Sequence, residues 1–357
     1  LVATILPMGQ QTTNAYDTLG RVVAITDFDG RSTQYTYDSL NRVTLKRFAD
    51  GTTERFTYTP TGQISTVTDA RGVTRYTYDS RDRLLSRTEP DGARMSYTYD
   101  AAGNQLSMTA FVGGVTVPTG YTYDITNRLA TVTDSSGGVT NYTYHADGHL
   151  VRTDLPNGVS EINQYDVFGR VIFVENIGPG NTVLSSFAYS RDAVGLIMRV
   201  VENNGRTVDY AYDPVHRLVS ESITDPVAGN RAIQYTFDPA GNRLTRVDSV
   251  DGTTTYEYDL NDRLTRTTNG ATVVNYAYDG NGNLLSGVSS TGDHTLYGWD
   301  VRNRLIRIQT SGPTLGSHVT TFQYDHAGNR VNQTVDGQTT RFLLDTRAAL
   351  ARVVLEY

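Results

Sequence analysis

The chain contains no cysteine, so neither a disulfide framework nor a thiolate metal site can hold it together, and redox chemistry does not reveal its compartment. One tryptophan, four methionines and ten prolines are spread over 357 residues. No block of like charge occurs, and a net charge of −7 lacks the basic footprint of a nucleic-acid binder. The longest apolar run, Leu1 to Met8, falls far short of the roughly 20 residues of a membrane span and has no basic lead-in of the signal-peptide kind. What is abundant is tyrosine (24) and glycine (33), together with threonine and valine. Those are residues of strands and tight turns, and they predict an all-β fold.

A search for internal periodicity settles the organisation. Aligned on an aromatic residue followed by aspartate, the sequence repeats sixteen times at intervals of 20 to 25 residues. The copies include Tyr16-Asp17, Tyr37-Asp38, Tyr78-Asp79, Tyr99-Asp100, Tyr123-Asp124 and Tyr165-Asp166 in the first half. Tyr212-Asp213, Phe237-Asp238, Tyr258-Asp259, Tyr278-Asp279, Trp299-Asp300, Tyr324-Asp325 and Leu344-Asp345 follow. Tyr58-Thr59, Tyr144-His145 and Tyr189-Ser190 keep the aromatic but not the acid. A second aromatic often stands two residues earlier, as in Tyr35-Thr36-Tyr37. Because side chains alternate along a strand, both rings of such a pair face the same way.

After the aspartate comes x-x-Gly and then Arg or Asn, with Gly20, Gly103, Gly169, Gly241, Gly282 and Gly328 in the glycine position and Arg21 and Arg170 next to it. An acid at the first corner and a residue tolerant of positive φ at the fourth predict a type I turn closed by a bulge, with Asn41, Asn127 and Asn303 standing in for glycine. A second turn is signalled by Asp-Gly or Asn-Gly, as at Asp29-Gly30, Asp50-Gly51, Asp91-Gly92, Asn157-Gly158 and Asp336-Gly337, and predicts type I′ hairpins. Each repeat is then two short strands, and sixteen repeats make about 32 strands in antiparallel succession. An open sheet rarely exceeds about 10 strands without curling, so this one has to spiral or close.

The recurring aspartates could suggest metal or acid–base chemistry, but a residue that returns in every unit at the same corner is explained by turn chemistry. Asp279-Gly-Asn281-Gly-Asn283 has the opening of a calcium loop, yet Ser290 occupies the twelfth position where a glutamate belongs, which favours a turn. His145 and His149 stand close together across a predicted turn, with no further ligand to complete a metal set. No nucleophile elbow, phosphate loop or zinc-protease signature occurs. Regular aromatic ladders stabilise sheets by about 0.2–1 kcal/mol per cross-strand pair, which accounts for the tyrosines as scaffold; a glycan-stacking face is the alternative. The repeating arginines, among them Arg42, Arg83, Arg128, Arg217, Arg263 and Arg304, are expected to pair with carboxylates or cover rings. Longer intervals at Ala110 to Pro118, Gly178 to Thr182, Asp225 to Gly229 and Ser311 to Ser317 are the places for partner-specific loops.

The repeated Tyr-Asp-x-x-Gly-Arg, with its preceding Tyr-x, resembles the YD repeat of RHS proteins from about Tyr16 to Asp345. That family includes bacterial polymorphic toxins, the B and C subunits of Tc toxin complexes and the related shell of animal teneurins. The resemblance implies a β-sheet strip spiralling into a hollow shell that encloses a polypeptide cargo, a toxin domain, alongside the remaining shell domains, in a secreted or cell-surface setting in bacteria. The family's releasing segment of Asp-Pro-x-Gly-Leu type is not found, and Ala349 to Tyr357 read as strand rather than as a toxin domain. The expectation is a non-enzymatic shell segment without cofactor or metal, residues 1–357 forming a single array that is part of a longer shell. The rival expectation is surface adhesion or a self-assembling fibre that recognises glycans or neighbouring cells.

Overall fold

The computed structural model describes residues 2–347 and 351–357; Leu1 of the apolar run, and Ala349 and Leu350 of the last expected strand, lie outside the described residues. Among the described residues thirty-three strands follow one another from β1 (Ala3–Ile5) to β33 (Arg352–Glu356), interrupted by one 3-10 turn at Pro179–Asn181. Among the described residues pairing is antiparallel between consecutive strands, and the ladder does not join its own two ends. The chain is all-β, at two strands per repeat. No helix is long and apolar enough to cross a membrane among the described residues.

One repeat shows the local logic. In β4 (Ser32–Tyr37) and β5 (Val43–Arg47), Tyr35 pairs with Lys46 and Tyr37 with Val43, so both rings lie on one face and are half-buried. Gln34 and Thr36 point to the other face and are exposed. On that second face hydroxyls pair across the strands, with Thr77 and Ser86 2.7 Å apart and Thr98 and Ser107 2.6 Å apart. The aromatic face is the packed one, as cross-strand ring ladders require.

The Tyr-Asp turn joins β4 to β5: the Asp38 N–H donates to the Arg42 carbonyl (3.0 Å), the Asn41 N–H donates back to Asp38 (3.1 Å), and Asn41 adopts φ 63°. This is the expected type I turn followed by a left-handed residue. Beyond it the register slips by one, Thr36 facing Leu45 while Tyr37 faces Val43, so Thr44 is an extra residue. The same slip recurs beside the aromatic of repeat after repeat, for example at Tyr99, Tyr165, Tyr258 and Tyr324. A bulge bends its strand and raises the local twist. One bulge per Tyr-Asp hairpin, repeated at that same end, bends the strip cumulatively; β17 and β18 carry a further slip at Ile177, at the opposite end.

The second turn departs from expectation. At Asp29-Gly30, Asp50-Gly51 and Asp91-Gly92 only the glycine has positive φ (78°, 86° and 89°), and the hydrogen bonds repeat the Tyr-Asp pattern, Asp27 N–H to Arg31 O and Gly30 N–H to Asp27 O. Three-residue connections have replaced the two-residue type I′ turn. Asp336-Gly337 alone among the dipeptides singled out above has both residues at positive φ, 47° and 88°, between directly paired Val335 and Gln338. The longer intervals extend hairpins: β11 (Gln105–Val112) and β12 (Val115–Tyr123) meet at Gly113-Gly114, and β17 (Val171–Gly178) and β18 (Thr182–Arg191) flank the 3-10 turn.

The accumulated bend brings distant repeats together. The turn at Phe28-Asp29, between β3 (Val22–Thr26) and β4, meets the turn at Gly280-Asn281, between β26 (Thr272–Tyr278) and β27 (Leu284–Ser289). A winding therefore takes 23 strands, which at about 4.8 Å each is a circumference of about 110 Å, or a circle about 35 Å across. Two packed sheets lie about 10 Å apart, so on a circle of that width the opposite walls stand too far apart to pack against each other. The apolar core is correspondingly local: Ala93, Met95, Tyr97, Met108 and Ala110 are buried with Leu343 where the second winding lies over the first.

Candidate functional site: repeat turns and the seam between windings

The predicted motif residues assemble into identical clusters at the Tyr-Asp edge of the strip. In the arginine type, one carboxylate oxygen accepts the backbone N–H four residues on and the other accepts Arg Nε. Asp17 with Arg21 (2.9 and 2.7 Å), Asp79 with Arg83 (3.0 and 2.7 Å) and Asp166 with Arg170 (3.0 and 2.6 Å) show it. Asp38, Asp124, Asp213, Asp259 and Asp300 do the same. In the asparagine type, Asp100, Asp238, Asp279 and Asp325 accept the backbone N–H and side-chain amide of Asn104, Asn242, Asn283 and Asn329. The Arg128 N–H, and after it the Thr126 hydroxyl, hold Asp124 well below the usual carboxylate range.

Arginines of the motif then cross to the next repeat, except Arg170, which lies 5.0 Å over Phe168 of its own turn. Arg21 lies 4.7 Å over the Tyr37 ring, Arg83 4.7 Å over Tyr99 and Arg304 5.1 Å over Tyr324. These tyrosine hydroxyls in turn donate to a backbone carbonyl of the repeat before, Tyr37 to Val22 (2.6 Å), Tyr99 to Leu84 (2.8 Å) and Tyr324 to Leu305 (2.6 Å); the Trp299 Nε1–H replaces the hydroxyl with a bond to Leu284 (2.8 Å). The aromatic, the aspartate and the arginine of the motif are one interlock between successive repeats. The Tyr37, Tyr99 and Tyr324 rings are half-buried beneath their arginines. Tyr99→Phe is expected to cost about 1 kcal/mol in urea unfolding, the net worth of one intramolecular hydrogen bond, with no change of fold.

Where the acid is missing, the structure finds substitutes. Thr59 Oγ1 accepts the Gln63 N–H (3.0 Å). At His145 the role passes to Asp147, which accepts the His149 N–H and contacts Nδ1 of both histidines at 2.9 Å. At Ser190 the turn shifts by two residues and Asp192 becomes the corner, accepting from Val194, Gly195 and Leu196. Among the described residues no cluster of histidine and carboxylates is arranged to hold a metal.

The seam between windings is what sequence reading missed. There, the Asp-Gly edge of the first winding meets the Tyr-Asp edge of the second, through hydrogen bonds between residues 238 to 272 apart. The Asn281 amide donates to Asp27 (2.8 Å) and Asp29 (3.0 Å), and its Oδ1 accepts the Phe28 N–H (2.8 Å), so the segment resembling a calcium loop is a seam contact. Arg302 pairs with Glu54, whose burial pushes its pKa up. Arg87, 3% exposed, bridges Glu89 (2.6 Å) and fully buried Asp325 (2.9 Å). His326 lies edge-on to Phe56 and Tyr76; burial pushes its pKa down to about 4 and that of Tyr76 up to about 12. Farther along, Arg347 sits 3.7 Å over Tyr97, whose hydroxyl donates to Asp345 (3.1 Å). A cleft of about 520 Å³ remains in the seam between Arg71, Glu89 and Asp91 on one winding and Phe322, Arg341 and Phe342 on the other.

The chain is similar in fold to the crystal structure of TcdB2-TccC3-TEV, with 13% identity and a TM-score of 0.49 over 96% of this chain and 27% of that one. It is also similar to TcdB2-TccC3 (14% identity, TM-score 0.44, 96% of this chain and 29% of that one) and to the Photorhabdus luminescens Tc holotoxin pore (16%, 0.34, 97% and 26%). The chain thus spans less than a third of the length of each of these. No curated protein matches it in sequence. The RHS Repeat profile matches residues 16–53, 37–74, 58–94, 78–116, 123–160, 191–229 and 237–274, more than half of the chain. With the same unit recurring in sequence, in turn chemistry and in the interlock between neighbours, the chain belongs to the RHS repeat family.

Proposed function

We propose that this chain is a non-catalytic stretch of shell wall that encloses a polypeptide cargo, a toxin domain in the family's manner, and shields it until delivery from a secreted or cell-surface assembly. The observation that carries the reading is the winding itself: 23 strands bend round until turn meets turn, on a backbone circle about 35 Å across. The 357 residues are one array, and their share of the similar Tc chains supports a place within a longer wall. The motif aspartates act in turns, so catalysis has no part in this reading.

The rival, a self-associating surface fibre, draws on one feature: Leu19, Leu40, Val167 and Phe168 stand exposed at turn tips along the free Tyr-Asp edge of the first winding. Native mass spectrometry of the intact protein, with protease challenge, decides between them. A longer native chain, or a co-purifying non-repetitive polypeptide that resists protease until the wall is unfolded, is the expected result. A chain ending at Tyr357 that assembles into multiples with nothing inside overturns it in favour of the fibre.

A further inference from the structure

We infer that the seam is a separable joint, along which the two windings part and re-close while the strand ladder stays intact. Among the described residues every backbone pairing runs between consecutive strands, and none crosses the seam. What crosses it is side chain: Asn281 with Asp27 and Asp29, Arg302 with Glu54, and Arg87 with Asp325. Burying a charged pair contributes little net adhesion, because desolvation offsets the attraction, whereas a broken or mispaired one is strongly penalised. Such contacts fix which turn docks on which without welding the windings together. Packing is also incomplete, since clefts of about 520 and 150 Å³ lie along the same line.

The dry part of the seam is at one end. Met95, Tyr97 and Met108 pack there against Leu343 and Leu355, β10 (Arg94–Tyr99) meeting β32 (Gln338–Asp345). This patch is the hinge, and the polar run from Asp27 to Glu54 is the part that swings open. Exposed ladder edges do not result, because the strands at the seam present their turns to one another rather than their backbone edges.

The absence of cysteine makes the test direct. Spin labels on Asp50→Cys and Val301→Cys, which line one seam cleft from opposite windings, report the seam; labels on Gln34→Cys and Arg47→Cys, paired within the ladder, report the sheet. Arg302→Glu, set against Glu54, is expected to lengthen the seam distance by about 4 Å or more, past the reach of an ion pair, with the ladder distance unchanged. Exchanging the pair, Glu54→Arg with Arg302→Glu, is expected to restore the short distance. Arg302→Gln serves as the milder variant should the reversal unfold the chain. An unchanged seam distance in both variants, or loss of the ladder distance together with the seam in both, overturns the inference, because the windings then form a single cooperative body.

Discussion

Asp325→Ala is expected to lower the unfolding free energy by about 3–5 kcal/mol, the range for removing one partner of a buried ion pair. The carboxylate is fully buried and accepts four bonds: from the backbone of Ala327 (2.9 Å) and Asn329 (2.8 Å), the Asn329 amide (3.0 Å) and Arg87 Nη2 (2.9 Å). Its removal opens the turn and leaves Arg87, 3% exposed, with Glu89 as its remaining counter-charge. Burial pushes the Asp325 carboxyl up, but the Asn329 amide and the Arg87 charge outweigh it and hold the pKa below 3.8. A lowered carboxylate pKa contributes stability above the unfolded value and loses it as pH falls through the folded one. The gap between wild type and Asp325→Ala in urea unfolding is therefore expected to be full at pH 7 and to shrink below pH 3.8. A difference under 1 kcal/mol at pH 7 would refute the role given to this pair.

Met95→Ala is expected to cost about 2–5 kcal/mol, the sum of lost transfer energy and a residual cavity. Met95 is completely buried in the patch that joins β10 to the second winding. The same change at Met198, 36% exposed on the sheet surface, is expected to stay within about 0.5 kcal/mol. Because repeat arrays unfold by neighbour-coupled steps, the Met95 loss should appear first as an early transition of the seam, followed by the ladder. Equal effects at the two methionines in thermal unfolding would mean that the apolar patch does not anchor the windings.

Much of the repeat unit was legible from the sequence because its causes are local. A carboxylate that can reach the N–H groups two and four residues on, and a glycine or asparagine able to take positive φ, act within five residues, so Asp38 to Arg42 could be read directly. The alternation that puts Tyr35 and Tyr37 on one face is equally local. The Asp-Gly turns were read as type I′ because the dipeptide permits it; the hairpins instead take one more residue before Gly30 and Gly51, keeping both edges of the strip on the same turn geometry. Ser190 shows the limit of alignment, since the chain placed its corner at Asp192, where a carboxylate could serve.

The sequence by itself determined the all-β fold, the two strands per repeat and the chemistry of the turns, since composition and spacing act over a handful of residues. Tertiary structure alone decided the curvature, the number of strands in a winding and the seam. Each bulge bends the strip by a small amount, and only the sum over some 250 residues determines that Asn281 comes to rest on Asp27 and that Arg87 finds Asp325. No local pattern marks those partners, because nothing in an Asn or an Arg at a turn records which other turn the accumulated bend will bring to it.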